Sequence, residues 1–136
     1  VMIRRRNDLG YVLSFFAVIA AGLVALPSSA QLTAEEAEFL VADSDAAAAI
    51  CSGGLEVRGT RIIDEAEFAR LAAFPPRACA ETARDDPAYL IYTSGTSDRP
   101  KGVLHAQRVI LGRAPMLDHW LGLNESDLVL HAGAIS

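Results

Sequence analysis

The stretch YLIYTSGTSDRPKGVLH, Tyr89 to His105, decides how this chain is read. It begins within AYLIYTS (88–94), a short apolar run with aromatics, the pattern of a buried strand. A loop of Thr93, Ser94, Gly95, Thr96 and Ser97 follows. Such a loop suits polyphosphate. Glycine lets the backbone approach closely and turn its N–H groups inward, hydroxyls donate to phosphate oxygens, and Lys101 supplies positive charge. It is not a Walker A loop, because Gly102 follows Lys101 where that motif has Ser or Thr.

Upstream, VMI (1–3) reads as a short strand crowded by Arg4, Arg5 and Arg6. Residues 9–21 read as a helix apolar on all sides, closed by Gly22, since glycine tolerates the left-handed conformation at a helix end. LVALP (23–27) is a short buried strand ended by Pro27. LTAEEAEFLVAD carries a helix start, with Thr33 as N-cap and Glu36 as its capping-box partner. Glu35 and Glu36 read as first-turn acids favoured by the helix dipole rather than as a catalytic pair. AAAAICS (46–52) is helix or strand by composition, and IIDEAEFARLAAF has helical spacing with Asp64 as cap.

Downstream, LHAQRVILGRAPMLDHWLG is helical in period, weakened at Gly112 and Pro115, and DLVLHAGAI (127–135) opens another strand. Strand and helix alternate throughout. The fold class expected is α/β, layered, with a mainly parallel sheet and helices on both faces.

The apolar run from Tyr11 to Leu26, behind three arginines, also has the look of a signal or membrane anchor. It falls short of the roughly 20 residues that span a bilayer and slightly exceeds the roughly 7–15 of a signal h-region. Divided at Gly22 into helix and strand, it reads as an interior βαβ piece, buried on both sides as in parallel sheets. The arginines stay unexplained.

The 136 residues carry a net charge of −5, which disfavours nucleic acid as partner. Charged residues make up 21% and apolar ones 51%, a globular balance. Cys51 and Cys79 form no CxxC pair and read as buried or unpaired thiols. His105, His119 and His131 lack metal-ligand spacing, so no metal site is expected from them. The chain starts at Val1 and stops within an apolar segment, so both ends are expected to be internal to a longer protein.

The Tyr89–His105 stretch resembles the phosphate-binding loop of the acyl-adenylate-forming (AMP-binding) superfamily, whose pattern is Tyr/Phe-Thr-Ser-Gly-Ser/Thr-Thr-Gly-x-Pro-Lys-Gly-Val. Tyr92, Thr93, Ser94, Gly95, Thr96, Pro100, Lys101, Gly102 and Val103 match it. Ser97 is a conservative change, and Asp98 stands where glycine is usual. With Pro-Lys-Gly at this spacing behind a strand, a flexible linker is set aside. More weakly, Asn7, Phe16-Ala17, Gly22, Pro27 and LTAEE fall in the family's upstream order, and HWLGLNESDLVLHAGAIS fits its downstream slot. GVLHAQR and GRAPM look most like benzoate- and other carboxylate-CoA ligases.

The resemblance implies that residues 1–136 are a partial adenylation domain, part of the large N-terminal domain of an adenylate-forming enzyme and incomplete at both ends. It implies an ATP-dependent, AMP-forming acid–thiol ligase: a carboxylic acid is activated as its adenylate and transferred to coenzyme A. Thr93, Ser94, Gly95, Thr96 and Ser97 would line the ATP phosphates, with Mg²⁺ nearby, and Lys101 would neutralise charge or anchor the loop. No catalytic or metal-ligating residue is expected in this piece, and His105 is expected to support the loop at the start of the next helix. A carboxylate about 4 Å from a phosphate charge would be opposed by roughly 4 kcal/mol at an effective dielectric of about 20. Asp98 is therefore expected to face solvent, towards Arg99.

The implied compartment is cytoplasmic, without membrane or nucleic-acid partner, and the isolated chain is expected to be inactive. The alternatives are another adenylate-forming enzyme, a truncated relative that keeps the loop without activity, or an exported or membrane-anchored binding protein with residues 9–26 as anchor.

Overall fold

The computed structural model of the chain describes residues 1–93 and 99–128, and of Leu117 and Asp118 the backbone alone. Asp98, the segment 129–136 with His131, and most of the expected strand at 127–135 lie outside the described residues.

Four short strands form one parallel sheet: β1 (Met2–Arg4), β2 (Leu26–Pro27), β3 (Ala48–Cys51) and β4 (Arg61–Ile63), in the order β2-β1-β3-β4. Met2 sits opposite both Leu26 and Ala49, and Ile3 opposite Pro27 and Ile50. A second, antiparallel pair is made by β5 (Pro87–Thr93) and β6 (Lys101–Ala106). It joins the sheet beside β2 through a parallel bridge, in which the Ala25 amide donates to the Ala88 carbonyl and the Leu90 amide to the Ala25 carbonyl.

Alternation along the strands sends neighbouring residues to opposite faces. Met2, Leu26, Ala49 and Cys51 bury against Ala37, Leu40 and Val41 of α2 (Ala34–Ser44). Ile3, Ala25, Ile50 and Ala88 bury against Tyr11 and Val18 of α1 (Leu9–Ala20), with Phe68 of α3 (Glu65–Ala72) packed on the same cluster. Helices therefore cover both faces of the parallel sheet, as the alternating pattern predicts.

The helix ends follow local chemistry. The Asp8 carboxylate caps α1 by accepting from the Tyr11 amide. Gly22, at φ 72°, lets the chain turn left-handed so that its amide reaches the Ile19 carbonyl and the Leu23 amide the Val18 carbonyl. Thr33 and Glu36 close the capping box of α2, and Asp64 caps α3.

Several readings are corrected. The apolar helix is not buried all round: Tyr11, Ser14 and Val18 are buried, whereas Leu9, Leu13 and Phe16 are exposed. Only one face of α1 meets the sheet among the described residues. Arg61–Ile63 is strand rather than the lead-in to a helix, because Ala49 and Ile50 offer it a parallel partner. Leu104 to Ala106 belong to β6, where pairing with β5 overrides the helical period; the next helix, α4, is Val109–Pro115, followed by a π-helical segment Met116–Leu121. Of the described residues in the run 88–94, only Ala88 and Tyr89 are buried; Ile91 and Thr93 are exposed.

The three arginines acquire a structural account. Arg4 is 5% exposed and donates to the carbonyls of Leu32 (2.7 Å), Glu56 (2.8 Å) and Leu55 (3.2 Å). From the end of β1 it ties together the loops that follow β2 and β3. Arg5 makes a two-pronged contact with Glu65 (2.8 and 2.9 Å) and stacks 4.5 Å over the Phe68 ring. The Arg6 amide donates to Ser52 Oγ. Cys51 is buried and Cys79 exposed, both as free thiols.

Candidate functional site

The β5–β6 hairpin carries the loop singled out in the sequence. Tyr92 pairs with Gly102 and Thr93 with Lys101, so the two residues that flank the loop stand opposite each other at its mouth. Both are exposed, as are Arg99 and Pro100 on the returning arm. Of the six expected phosphate-site residues, Thr93 and Lys101 are thus brought together; Ser94, Gly95, Thr96 and Ser97 lie outside the described residues. Thr93 offers a hydroxyl, and Arg99 and Lys101 offer two cations on one arm, a donor set suited to a polyanion.

A cleft of ≈ 750 Å³ opens beside this mouth. Its wall on one side is α2, through Glu35, Glu36, Phe39 and Leu40; on the other it is the strand end Ile91 to Thr93 with Arg99 and Pro100. Pro27, Ser28 and Ser29, just past β2, also line it. Glu36 is occupied by the cap, accepting from the Thr33 amide at 2.7 Å, so it has a structural task.

Tyr92 links the two walls. Its hydroxyl donates to Asp43 Oδ2 at 2.6 Å, joining the hairpin to the last turn of α2. Burial, then the hydrogen bond and the charge of Asp43, push the Tyr92 phenol well above its ordinary value. Sequence reading missed this pair. The signal was the face formed by Glu36, Phe39, Leu40 and Asp43 at helical spacing, but nothing local named its partner 49 residues away.

His105 sits inside β6 rather than at a helix start, with its ring stacked on Tyr89 at 4.6 Å and 23°. Phe15 extends the stack, its ring 5.7 Å from that of Tyr89. This packing secures the hairpin to α1. His119 lies in the π-helical segment, away from the hairpin in sequence. Among the described residues, no helix is long and apolar enough to cross a membrane.

A family model described as "AMP-binding enzyme" matches residues 1–136. The chain belongs to the AMP-binding enzyme family. Surfactin synthase subunit 3 of Bacillus subtilis is 28% identical over 96% of this AMP-binding chain, which covers 11% of that protein. Oxalate–CoA ligase of Arabidopsis thaliana is 30% identical over 89% of the chain, which covers 27% of the ligase. In three dimensions, the O-succinylbenzoate coenzyme A synthetase of Bacillus subtilis, solved with AMP, superposes with a TM-score of 0.81 at 27% identity. That match covers 93% of this chain and 34% of the synthetase. The AMP-binding chain thus spans about a third or less of the length of these relatives, and its fold is that of the N-terminal domain of adenylate-forming enzymes.

Proposed function

We propose that this AMP-binding chain is part of an ATP-dependent carboxylic acid–CoA ligase, and that its β5–β6 turn holds the β- and γ-phosphates of ATP. The observation that carries the reading is the opposed pair Thr93 and Lys101 at the mouth of the hairpin, with Arg99 on the same arm. Thr93, Ser94, Gly95, Thr96 and Ser97 line the phosphates in this proposal, and Lys101 offsets the charge that grows on departing pyrophosphate.

The overall reaction has two displacements. A substrate carboxylate oxygen bonds to the α-phosphorus while the bond to pyrophosphate breaks. The CoA sulfur then bonds to the acyl carbon, its proton is lost, and AMP leaves. This chain contributes positioning and charge at the leaving group in the first step. Mg²⁺ would add further charge there. Among the described residues no group of three His, Cys, Asp or Glu side chains could hold a metal ion.

The proposal treats residues 1–136 as one part of a longer adenylation domain, supported by the short span of its relatives that the chain covers. In this proposal the full-length enzyme works in the cytoplasm, where ATP and CoA are both supplied. A second reading, adenylation within a peptide synthetase, draws on the surfactin synthase match and on a nonribosomal peptide synthetase of the same fold. Both readings share the adenylation step and differ in the acceptor. Carboxylic-acid-dependent exchange of pyrophosphate into ATP by the full-length protein tests the shared step. Formation of acyl-CoA from free CoA selects the ligase; adenylation without that product selects the synthetase reading. Absence of exchange with every acid of a broad panel contradicts both.

A further inference from the structure

The mouth of the hairpin has its own brace. Asp43, Tyr92 and Gly102 form a continuous chain of contacts from α2 to the strand that begins with Lys101. The Tyr92 hydroxyl donates to Asp43 Oδ2 at 2.6 Å, a length typical of an O–H bond to a charged acceptor. Tyr92 is also packed against the core cluster that contains Leu40 and Val41 of α2, so apolar contact adds to the hydroxyl's bond. Across the hairpin, Tyr92 faces Gly102 directly. A Cβ on Gly102 would stand 3.3 Å from Tyr92 Cζ and 3.0 Å from Leu90 Cδ1. The Leu90 side chain and the Tyr92 ring together crowd the space that a side chain at position 102 would need. The next cross-strand pair along is Thr93 and Lys101.

We infer that Asp43 and Tyr92 are positioning residues for Thr93 and Lys101, the pair that flanks the proposed ATP-phosphate loop: the carboxylate holds the tyrosine ring against Gly102, and the ring sets where Thr93 and Lys101 stand relative to α2. Neither residue touches the nucleotide in this account. The inference rests on the ligase reading for its ligand, and on the Asp43–Tyr92–Gly102 contacts for its geometry. Two physical consequences follow. Loosening the brace moves a cation and a hydroxyl that must meet fixed phosphate oxygens, so it acts on ATP before it acts on the acid. Because both residues act through one hydrogen bond, removing either partner removes the whole effect.

The test uses the full-length enzyme as wild type, Tyr92→Phe, Asp43→Ala, Asp43→Asn and the Tyr92→Phe/Asp43→Ala double variant. Acid-dependent pyrophosphate exchange gives KM for ATP, KM for the acid and kcat; hydrogen–deuterium exchange of residues 87–106 reports the hairpin without reference to ATP. The brace predicts a three- to tenfold rise in KM for ATP in Tyr92→Phe and Asp43→Ala, with KM for the acid within twofold. Asp43→Asn, which keeps an acceptor oxygen, recovers most of the loss. The double variant is no worse than either single one, and amide exchange in the hairpin quickens in the same variants that lose ATP affinity.

Unchanged KM for ATP with unchanged hairpin exchange overturns the brace while leaving the ligase reading intact. So does a double variant whose losses multiply. A wild-type enzyme that shows no acid-dependent exchange overturns the ligase reading and the ATP part of this inference, and the hydrogen-exchange comparison then decides the geometric part alone.

Discussion

The parallel sheet and the β5–β6 hairpin solve the same problem, burying apolar strands, to very different extents. In the sheet, Met2 and Ile3 of β1 are both fully buried, each by a different helix layer. In the hairpin, Val103 and Leu104 of β6 are 43% and 57% exposed. The sheet is held by cores on two faces and by buried Arg4. The hairpin is held by the Ala25 bridge, the Phe15–Tyr89–His105 stack and the Tyr92–Asp43 bond. The difference separates scaffold from site. What fixes the fold lies in the first three strands, and what is proposed to face ATP projects from a lightly anchored arm. Open α/β sheets usually bind ligands beyond the strand carboxyl ends where the order reverses, here between β1 and β3. In this chain Arg4 fills that place with its bonds to Leu32, Leu55 and Glu56.

The contrast breaks most visibly by truncation. Ile3→Ala should cost about 2–5 kcal/mol of stability in urea unfolding, the range for a fully buried aliphatic residue. Leu104→Ala should cost under about 1 kcal/mol, because so much of its side chain is exposed. Equal costs at the two positions would erase the distinction between scaffold and arm.

Arg4→Ala comes next, at about 2–4 kcal/mol, since it leaves the Leu32, Leu55 and Glu56 carbonyls without their donor. Arg4→Lys should recover only part of this, as one ammonium cannot match a planar fork reaching three carbonyls. Full recovery with Lys would show that charge, not geometry, fills the crevice.

The smallest effect concerns Tyr11, whose hydroxyl is buried with no hydrogen-bond partner among the described residues. Burial raises its phenol to about 12 from an ordinary value of 10.0. The folded state therefore keeps the proton longer than the unfolded one. Stability from this group is complete below pH 10 and is lost as pH rises from there towards about 12. Tyr11→Phe should be neutral or stabilising by up to about 1 kcal/mol at pH 7, and should flatten the alkaline limb of a stability–pH profile. A steeper limb in Tyr11→Phe would contradict this assignment.

The sequence made the helices legible where local chemistry writes them. The Thr33–Glu36 box, the Asp64 cap and the Gly22 stop all stand where their spacing predicts. Strands were harder. Arg61–Ile63 is three residues long, and its stability comes from β3 rather than from its own composition. Leu104 to Ala106 carry a helical period that pairing with β5 overrides. The arginines resisted reading because their partners, Leu32, Glu56 and Glu65, are remote in sequence. The loop motif located the candidate site through residue identity. Its support from Asp43 depends on how α2 lies across the sheet, which no local pattern encodes.

Lys101, opposite Thr93, is proposed to serve the phosphates of ATP. The most direct test of that role is the KM for ATP in acid-dependent pyrophosphate exchange by the full-length enzyme carrying Lys101→Ala. Lys101 is exposed, so its loss should leave thermal stability within a few degrees of wild type. KM for ATP should rise about tenfold or more, on the order of the 1.4 kcal/mol per decade that a charge-assisted contact supplies, with KM for the acid little changed. An unchanged KM for ATP in a folded Lys101→Ala enzyme would contradict it.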